Sequence, residues 1–425
     1  MKHTFELNGG ENFKDIEKSI LTILNTDKAR LNGIEIKIEN EVNDKEVVID
    51  YDSEQFKDEI IDELKINSNK IVFEKTLRVD LLNVLYLKNI EFKNNSKIVA
   101  NKFNIDDISF EALVELLTHL EIPKKDFSFD YHRIFNIVSG KTDKLDFSKI
   151  NEYLDEYKFY LEIEEEFIKE HKKVKIENLK TKQNFFIQNS TTDSFDLIIE
   201  NCNEISIQFT LNNLWIKDLI IKNVSSVFLK SNTLEFDKKR IENVQFENVK
   251  NIKIDSLLLI PNMNIEKIKN CGAFEIDFNN FSFKKVNTFL TTNKDMLKNF
   301  ESISIPVSPY IDFIEFKKHS ENLTLYFDYS EFFNIVNSPF ENIDDNYTKN
   351  ILNETFEKFL EQFISFNDSK KIFFVFPNLK TIEERLKLLF ESIRKSNDKI
   401  IVKSSDGKNL NLFLNFVKMK KSMSI

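Results

Sequence analysis

Two stretches decide how this chain folds: Leu219-Ile-Ile-Lys-Asn-Val-Ser-Ser-Val-Phe-Leu229 and Val244-Gln-Phe-Glu-Asn-Val-Lys-Asn-Ile-Lys-Ile254. Each alternates apolar and polar residues up to an asparagine, Asn223 or Asn248, and then takes up a second alternating run. Period-two alternation marks a strand with one buried face. The asparagine falls where the chain has to bend, and Asn tolerates the left-handed backbone region better than any residue except Gly. Strand, bend, strand is the reading.

The same arrangement recurs at Asn178, Asn201, Asn223, Asn248 and Asn270, with spacings of 23, 22, 25 and 22 residues. Two residues before them stand Ile176, Ile199, Ile221, Phe246 and Ile268; immediately after come Leu179, Cys202, Val224, Val249 and Cys271. Apolar pairs follow the last four: Ile205/Ile207, Val227/Leu229, Ile252/Ile254 and Phe274/Ile276. Earlier, residues 85–90 match the first half of the pattern around Asn89, with Phe92 out of step. A repeat of this length carrying two or three short strands predicts one coil of a β-solenoid, each coil pairing in parallel with the next at about 4.8 Å. Equivalent asparagines then form a ladder of side-chain amides. Just before the last four stand Glu200, Lys222, Glu247 and Lys269, alternating in sign. Opposite charges on neighbouring strands contribute about 0.2–1 kcal/mol per pair. A leucine-rich repeat would need apolar residues five and three before the Asn and two after it, and the chain does not have them.

The segment carried by residues 219–229 and 244–254 resembles the right-handed parallel β-helix of the pectate-lyase-like superfamily, over about 110 residues between 174 and 283. The resemblance implies the solenoid architecture and, for an enzyme, action on polysaccharides with acids on neighbouring coils. The chain departs from it in having six glycines and no export signal, where the family's enzymes are usually exported and richer in Gly. Fold likeness alone does not license an activity.

The expected fold class is mixed α/β: a central parallel β-solenoid with a helical insertion and an αβ C-terminal capping region. Residues 1–70 read as an N-terminal α/β region, with helices over 12–24 and 53–64 and strands over 34–38 and 47–51. Residues 71–110 read as irregular early coils, and 111–172 as a mostly helical insertion, with helices at 111–119 and 147–171. The solenoid is expected over 173–330, with later strands at 302–305, 311–316 and 323–327. The αβ cap at 331–425 takes helices at 348–366 and 382–395 and strands at 371–376 and 400–403. Caps cover the open strand edges of an end coil.

A length of 425 residues suggests two or three domain-sized units, and 41% apolar content is enough to bury a core. Six glycines exclude collagen and Gly-rich chains, and none lies in a dinucleotide or P-loop spacing, so no cofactor is expected. Net charge is −10, with short basic clusters only at 172–182 and 418–421, so nucleic acid is not the expected partner. The first residues carry no apolar run, and no apolar stretch approaches the roughly 18 residues that span a bilayer; a cytoplasmic protein without membrane contact is expected. The five histidines show no His-x-x-x-His pair, so no metal site is expected. Cys202 and Cys271 are the only cysteines; three coils apart, about 14 Å, they predict inert inward thiols without a disulfide.

One constellation carries chemistry. Asp255 and Asp277 each lie seven residues after a repeat asparagine, with Lys253 and Glu275 two residues earlier on the same face. Carboxylates of Asp255 and Asp277 about 5 Å apart could divide into acid and base or hold a cation. Asp255, Glu275 and Asp277 are therefore the candidate catalytic residues, against the plainer reading of a solvated acidic surface. Trp215 and Phe228 offer an aromatic platform or simple packing; Glu162 and Glu164–Glu166 offer a partner contact or a solvated face. The leading expectation is a non-enzymatic interaction protein whose solenoid surface binds another protein. A polysaccharide-directed lyase or hydrolase is the alternative, and an effector, toxin or defence component the second.

Overall fold

The computed structural model describes residues 3–14, 16, 18–20, 34–40, 45–50, 61–122, 133–157, 159–187, 193–209, 215–231, 240–255, 264–277, 289, 292–293, 295–297, 299–306, 322–326, 371–376 and 400–404. It divides into two compact units, Met1–Ile220 and Ile221–Ile425, and the division falls within a long strand.

The first unit is built from strands β1 (His3–Asn8), β2 (Ile34–Asn40), β3 (Val47–Ile49), β4 (Ile61–Phe73), β5 (Leu77–Phe92), β6 (Ile98–Ile108) and β7 (Leu120–Glu121). There follow β8 (Arg133–Ile137), β9 (Lys144–Asp146), β10 (Phe159–Ile163), β11 (Lys173–Glu177), β12 (Gln183–Ile187), β13 (Phe195–Glu200) and β14 (Glu204–Phe209). Among the described residues the pairings are parallel and join each strand to its equivalent one coil on: β2 to β4, β4 to β5, β5 to β6, β6 to β8, then β8, β10, β12 and β14 in turn. This is a parallel β-solenoid. Register places like on like in its core, as in the column Leu87, Ile108, Ile137, Ile163, Ile187, Phe209. All six are buried, and each such side chain contributes about 1.5–3 kcal/mol when taken from water. A second face stacks Leu145, Ile176 and Ile199.

Helices sit inside coils. Helix α1 (Phe110–His119) starts at Ser109, whose hydroxyl accepts from the Ala112 N–H at 3.1 Å and donates to the Lys88 carbonyl one coil back at 2.6 Å. Helices α2 (Asn151–Tyr157) and α3 (Glu165–Glu170) are separated by β10. The single helix expected over 147–171 is thus two short helices, led by a 3-10 turn at Phe147–Lys149, with a solenoid strand between them. The apolar positions of Leu154 and Phe167 belong to helices, but Leu161 and Ile163 alternate at period two and pair with β8 and β12. Residues 111–172, expected as a mostly helical insertion, accordingly hold strands β7 to β10 that continue the stack.

The early coils are regular rather than irregular. Strands β4, β5 and β6 run in register with a shift between Ile66 and Asn67 in the β4–β5 pairing. Residues 61–64, expected as the end of a helix, open β4, and residues 53–60 lie outside the described residues. Phe92 falls out of step because β5 passes through Asn89 without a bend; the Asn89 amide donates instead to the Asn69 carbonyl at 3.1 Å. The strands expected at 34–38 and 47–51 are β2 and β3. Of the helix expected over 12–24, residues 14, 16 and 18–20 are helical, and 21–24 lie outside the described residues.

The second unit contains residues 221–231 of β15 (Trp215–Ser231), then β16 (Arg240–Asp255), β17 (Asn264–Lys269), β18 (Cys271–Asp277), β19 (Phe300–Pro306), β20 (Asn322–Tyr326), β21 (Lys371–Phe376) and β22 (Ile400–Ser404). These too pair in parallel, with Ile252, Phe274, Ile303, Leu323, Ile372 and Ile400 in one column of the register. The strands expected at 302–305, 323–327, 371–376 and 400–403 are β19 to β22. The strand expected at 311–316 and the helices at 348–366 and 382–395 lie outside the described residues.

The coil corners behave as their residue type demands. Asn178, Asn201, Asn223, Asn248 and Asn270 have φ of 60, 54, 54, 56 and 52°, all left-handed. In the second unit the Asn248 amide donates to the Asn223 Oδ1 at 2.9 Å, and the Asn270 amide to the Asn248 Oδ1 at 3.1 Å. Left-handed backbone costs an ordinary L-residue about 1–2 kcal/mol, and each net hydrogen bond contributes about 0.5–1.5 kcal/mol. Asn248→Ala should therefore destabilise the chain by about 2–4 kcal/mol, and Asn248→Gly by clearly less, because Gly keeps the backbone and loses only the amide bonds. Urea unfolding of the two variants checks the order; Ala equal to or better than Gly would contradict it.

Coils approach closely just after the corner. A Cβ on Gly272 would stand 2.4 Å from the Lys250 carbonyl oxygen, a backbone atom that cannot swing away. Gly272→Ala should cost about 1–3 kcal/mol through overpacking, read as a lower melting temperature.

Candidate functional site

The candidate acids lie in the second unit, on strands whose alternation turns one set of side chains outward. Asp255 closes β16 and is the Cα register partner of Asp277, which closes β18; Lys253 partners Glu275 two residues earlier. Neighbouring strands stand about 4.8 Å apart. The sequence spacing therefore does bring the two aspartates to the same level on successive coils. Around them the polar groups are already engaged. The Lys253 ammonium lies 2.9 Å from the Glu275 carboxylate, both half-exposed, and the Asp255 Oδ2 accepts the Ser231 backbone N–H at 3.4 Å. Among the described residues no group of three or more His, Cys, Asp or Glu could hold a metal ion.

Phe228 belongs to the same face. Its ring carries the Lys230 ammonium at 4.4 Å and the Lys253 ammonium at 5.2 Å from its centroid. The ring thus supports two cations by cation–π attraction, worth about 0.5–1 kcal/mol each at an exposed site. Trp215 opens β15 in the first unit, half-buried.

Beside the asparagine ladder, Glu247 is held between two ammonium groups, Lys269 at 2.8 Å and Lys267 at 3.0 Å. Hydrogen bonds from Lys269 and then Lys267 outweigh its partial burial and hold the carboxyl down at about 2. The Lys269 pairing follows from the alternating charges. Lys267 was not read, although it follows from the same 22-residue offset: it pairs with Gln245, two residues before Lys269 on the same face, and so lies diagonal to Glu247.

A comparable network stands in the first unit. Glu177, nearly buried, bonds both Lys144 and Lys175, and Lys175 reaches Glu200 at 2.8 Å. Burial alone would raise the Glu177 carboxyl, but the bonds from Lys144 and Lys175 bring it below its ordinary value. Asp146 Oδ1 accepts from the Asn178 amide at 2.9 Å and from the Ser148 N–H at 3.1 Å, so one carboxylate receives the corner asparagine and caps the 3-10 turn. Asn151, also missed in the sequence, is buried and fixes the chain around that corner: its amide donates to the Asn178 carbonyl at 2.9 Å and its oxygen accepts the Lys180 N–H at 2.8 Å. The nearest sequence signal is its place just after a strand and turn, which many asparagines share.

The acidic run is not simply a solvated face. Asp107, Asn136 and Glu162 share a column of the register, and the Asn136 amide donates to Asp107 at 2.8 Å. Glu162 is pushed up by burial and then by the Asp107 charge; Glu164 is pushed up by burial and then by Asp107, Glu162 and Glu166.

The first unit also has an open groove of about 450 Å³, lined by Asn95, Ser96, Lys97, Thr118, His119, Leu120, Glu121 and Ile122. The His119 ring stacks on Phe92 at 4.4 Å, and its Nδ1 donates to the Glu115 carbonyl at 2.9 Å. Both cysteines are free and buried, as expected. Burial pushes the Cys202 thiol up to about 11 and raises that of Cys271. No helix among the described residues is long and apolar enough to cross a membrane.

No protein-family model matches the chain, and no curated protein or solved structure matches it either.

The raised carboxyls give a signed expectation. A group with a raised folded-state pKa contributes stability that is present below its unfolded value and is lost as pH rises through the folded one. Glu162→Gln should raise the melting temperature at pH 7, and the gain should shrink as pH falls through the carboxyl range. A constant difference across that range, or a loss at pH 7, would contradict the assignment.

Proposed function

We propose that this chain is a non-enzymatic binding protein that presents the lateral face of its stacked coils to another macromolecule, another protein being the partner its chemistry suits best. The observation that carries the reading is the arrangement of the outward polar groups of the second unit. The Asn223–Asn248–Asn270 amides, the Glu247–Lys267–Lys269 cluster and the Lys253–Glu275 pair each bridge neighbouring coils, so these side chains are held in place before any partner arrives. Side chains fixed before association lose less entropy on binding, about 0.5–1.5 kcal/mol for each rotamer-rich one otherwise immobilised. Mixed charge on such a face suits a protein surface better than a polyanion. A cytoplasmic setting belongs to the same proposal.

The test exchanges charge without breaking the pair. Lys253→Glu with Glu275→Lys keeps an ion pair but inverts the pattern. Affinity capture from the native source with the unaltered chain should enrich a protein at least about tenfold over the exchanged variant, and titration of that purified protein should reproduce the loss as a 1.4 kcal/mol or larger change. Equal capture and equal affinity would reject this face as the interface.

A second reading rests on one observation, the register partnership of Asp255 with Asp277. With the likeness to pectate-lyase-like β-helices, it supports a polysaccharide-directed lyase or hydrolase. Under it, the chain cleaves a member of an acidic and neutral polysaccharide panel, and Asp255→Asn with Asp277→Asn lowers that rate by at least about a hundredfold. An unaltered rate, or no cleavage by the native chain, removes the reading.

A further inference from the structure

We draw no further inference here: the strongest candidate, the polar groove of the first unit between the Asn95–Lys97 turn and the C-terminal end of α1, carries nothing, because its His119 is accounted for by the bond to the Glu115 carbonyl that caps the helix and its Lys97 by the ion pair with Glu121, so no group there names a ligand.

Discussion

The repeats from Asn178 to Asn270 depend on a sharp corner that an L-residue turns without a glycine. With six glycines in 425 residues, the chain has few at its disposal and uses asparagine. Asparagine adopts the left-handed conformation at lower cost than other side chains, and it adds what glycine lacks, an amide that bonds to the corner of the neighbouring coil. The corner is thereby also a register pin. Because strand side chains alternate at period two, a slip of one residue would turn every buried Ile, Leu and Phe to solvent. Backbone bend, amide ladder and apolar column therefore reinforce one another, and agreement across levels is what gives a sequence one fold.

The same pinning governs the polar surface. Cross-coil bonds engage Glu247, Glu177, Glu200, Lys175, Lys253 and Glu275, so these charged groups of the outer faces serve as inter-coil ties. That arrangement is what the proposed binding role draws on: side chains held before association lose less entropy when a partner docks. The carboxyl of Glu247, held near 2, remains an anion at any physiological pH and cannot serve as a general acid.

Much of this was legible in the residues. All five repeat asparagines have positive φ, and the level of Asp255 with Asp277 follows directly from counting seven residues past each. The early coils were not, because β5 runs straight through Asn89 and the left-handed asparagines of that coil are Asn94 and Asn95, out of step with the later repeat. The strand β10 hid between two helices whose apolar spacing dominates the window. The stack also continues past the visible motif without its corner: Cys271 pairs with Phe300, which sets Asn299 at the level of Asn270 after 29 residues, but Asn299 is not among the left-handed residues. What the acids do was least legible. The capture of Glu275 by Lys253 and of Asp255 by the Ser231 N–H depends on rotamers and on a neighbouring backbone, which spacing does not encode.

The in-register stack is tested most directly by oxidative cross-linking. Register partners on adjacent coils have Cα atoms about 4.8 Å apart, within the span a disulfide bridges. A chain carrying Lys253→Cys and Glu275→Cys should form that disulfide readily under mild oxidant, while Lys253→Cys with Ile276→Cys, displaced by one residue onto the opposite face, should not. Mass spectrometry of the digested chain distinguishes the two. Efficient cross-linking of the displaced pair, or none of the aligned pair, would contradict the stacked arrangement from which the rest follows.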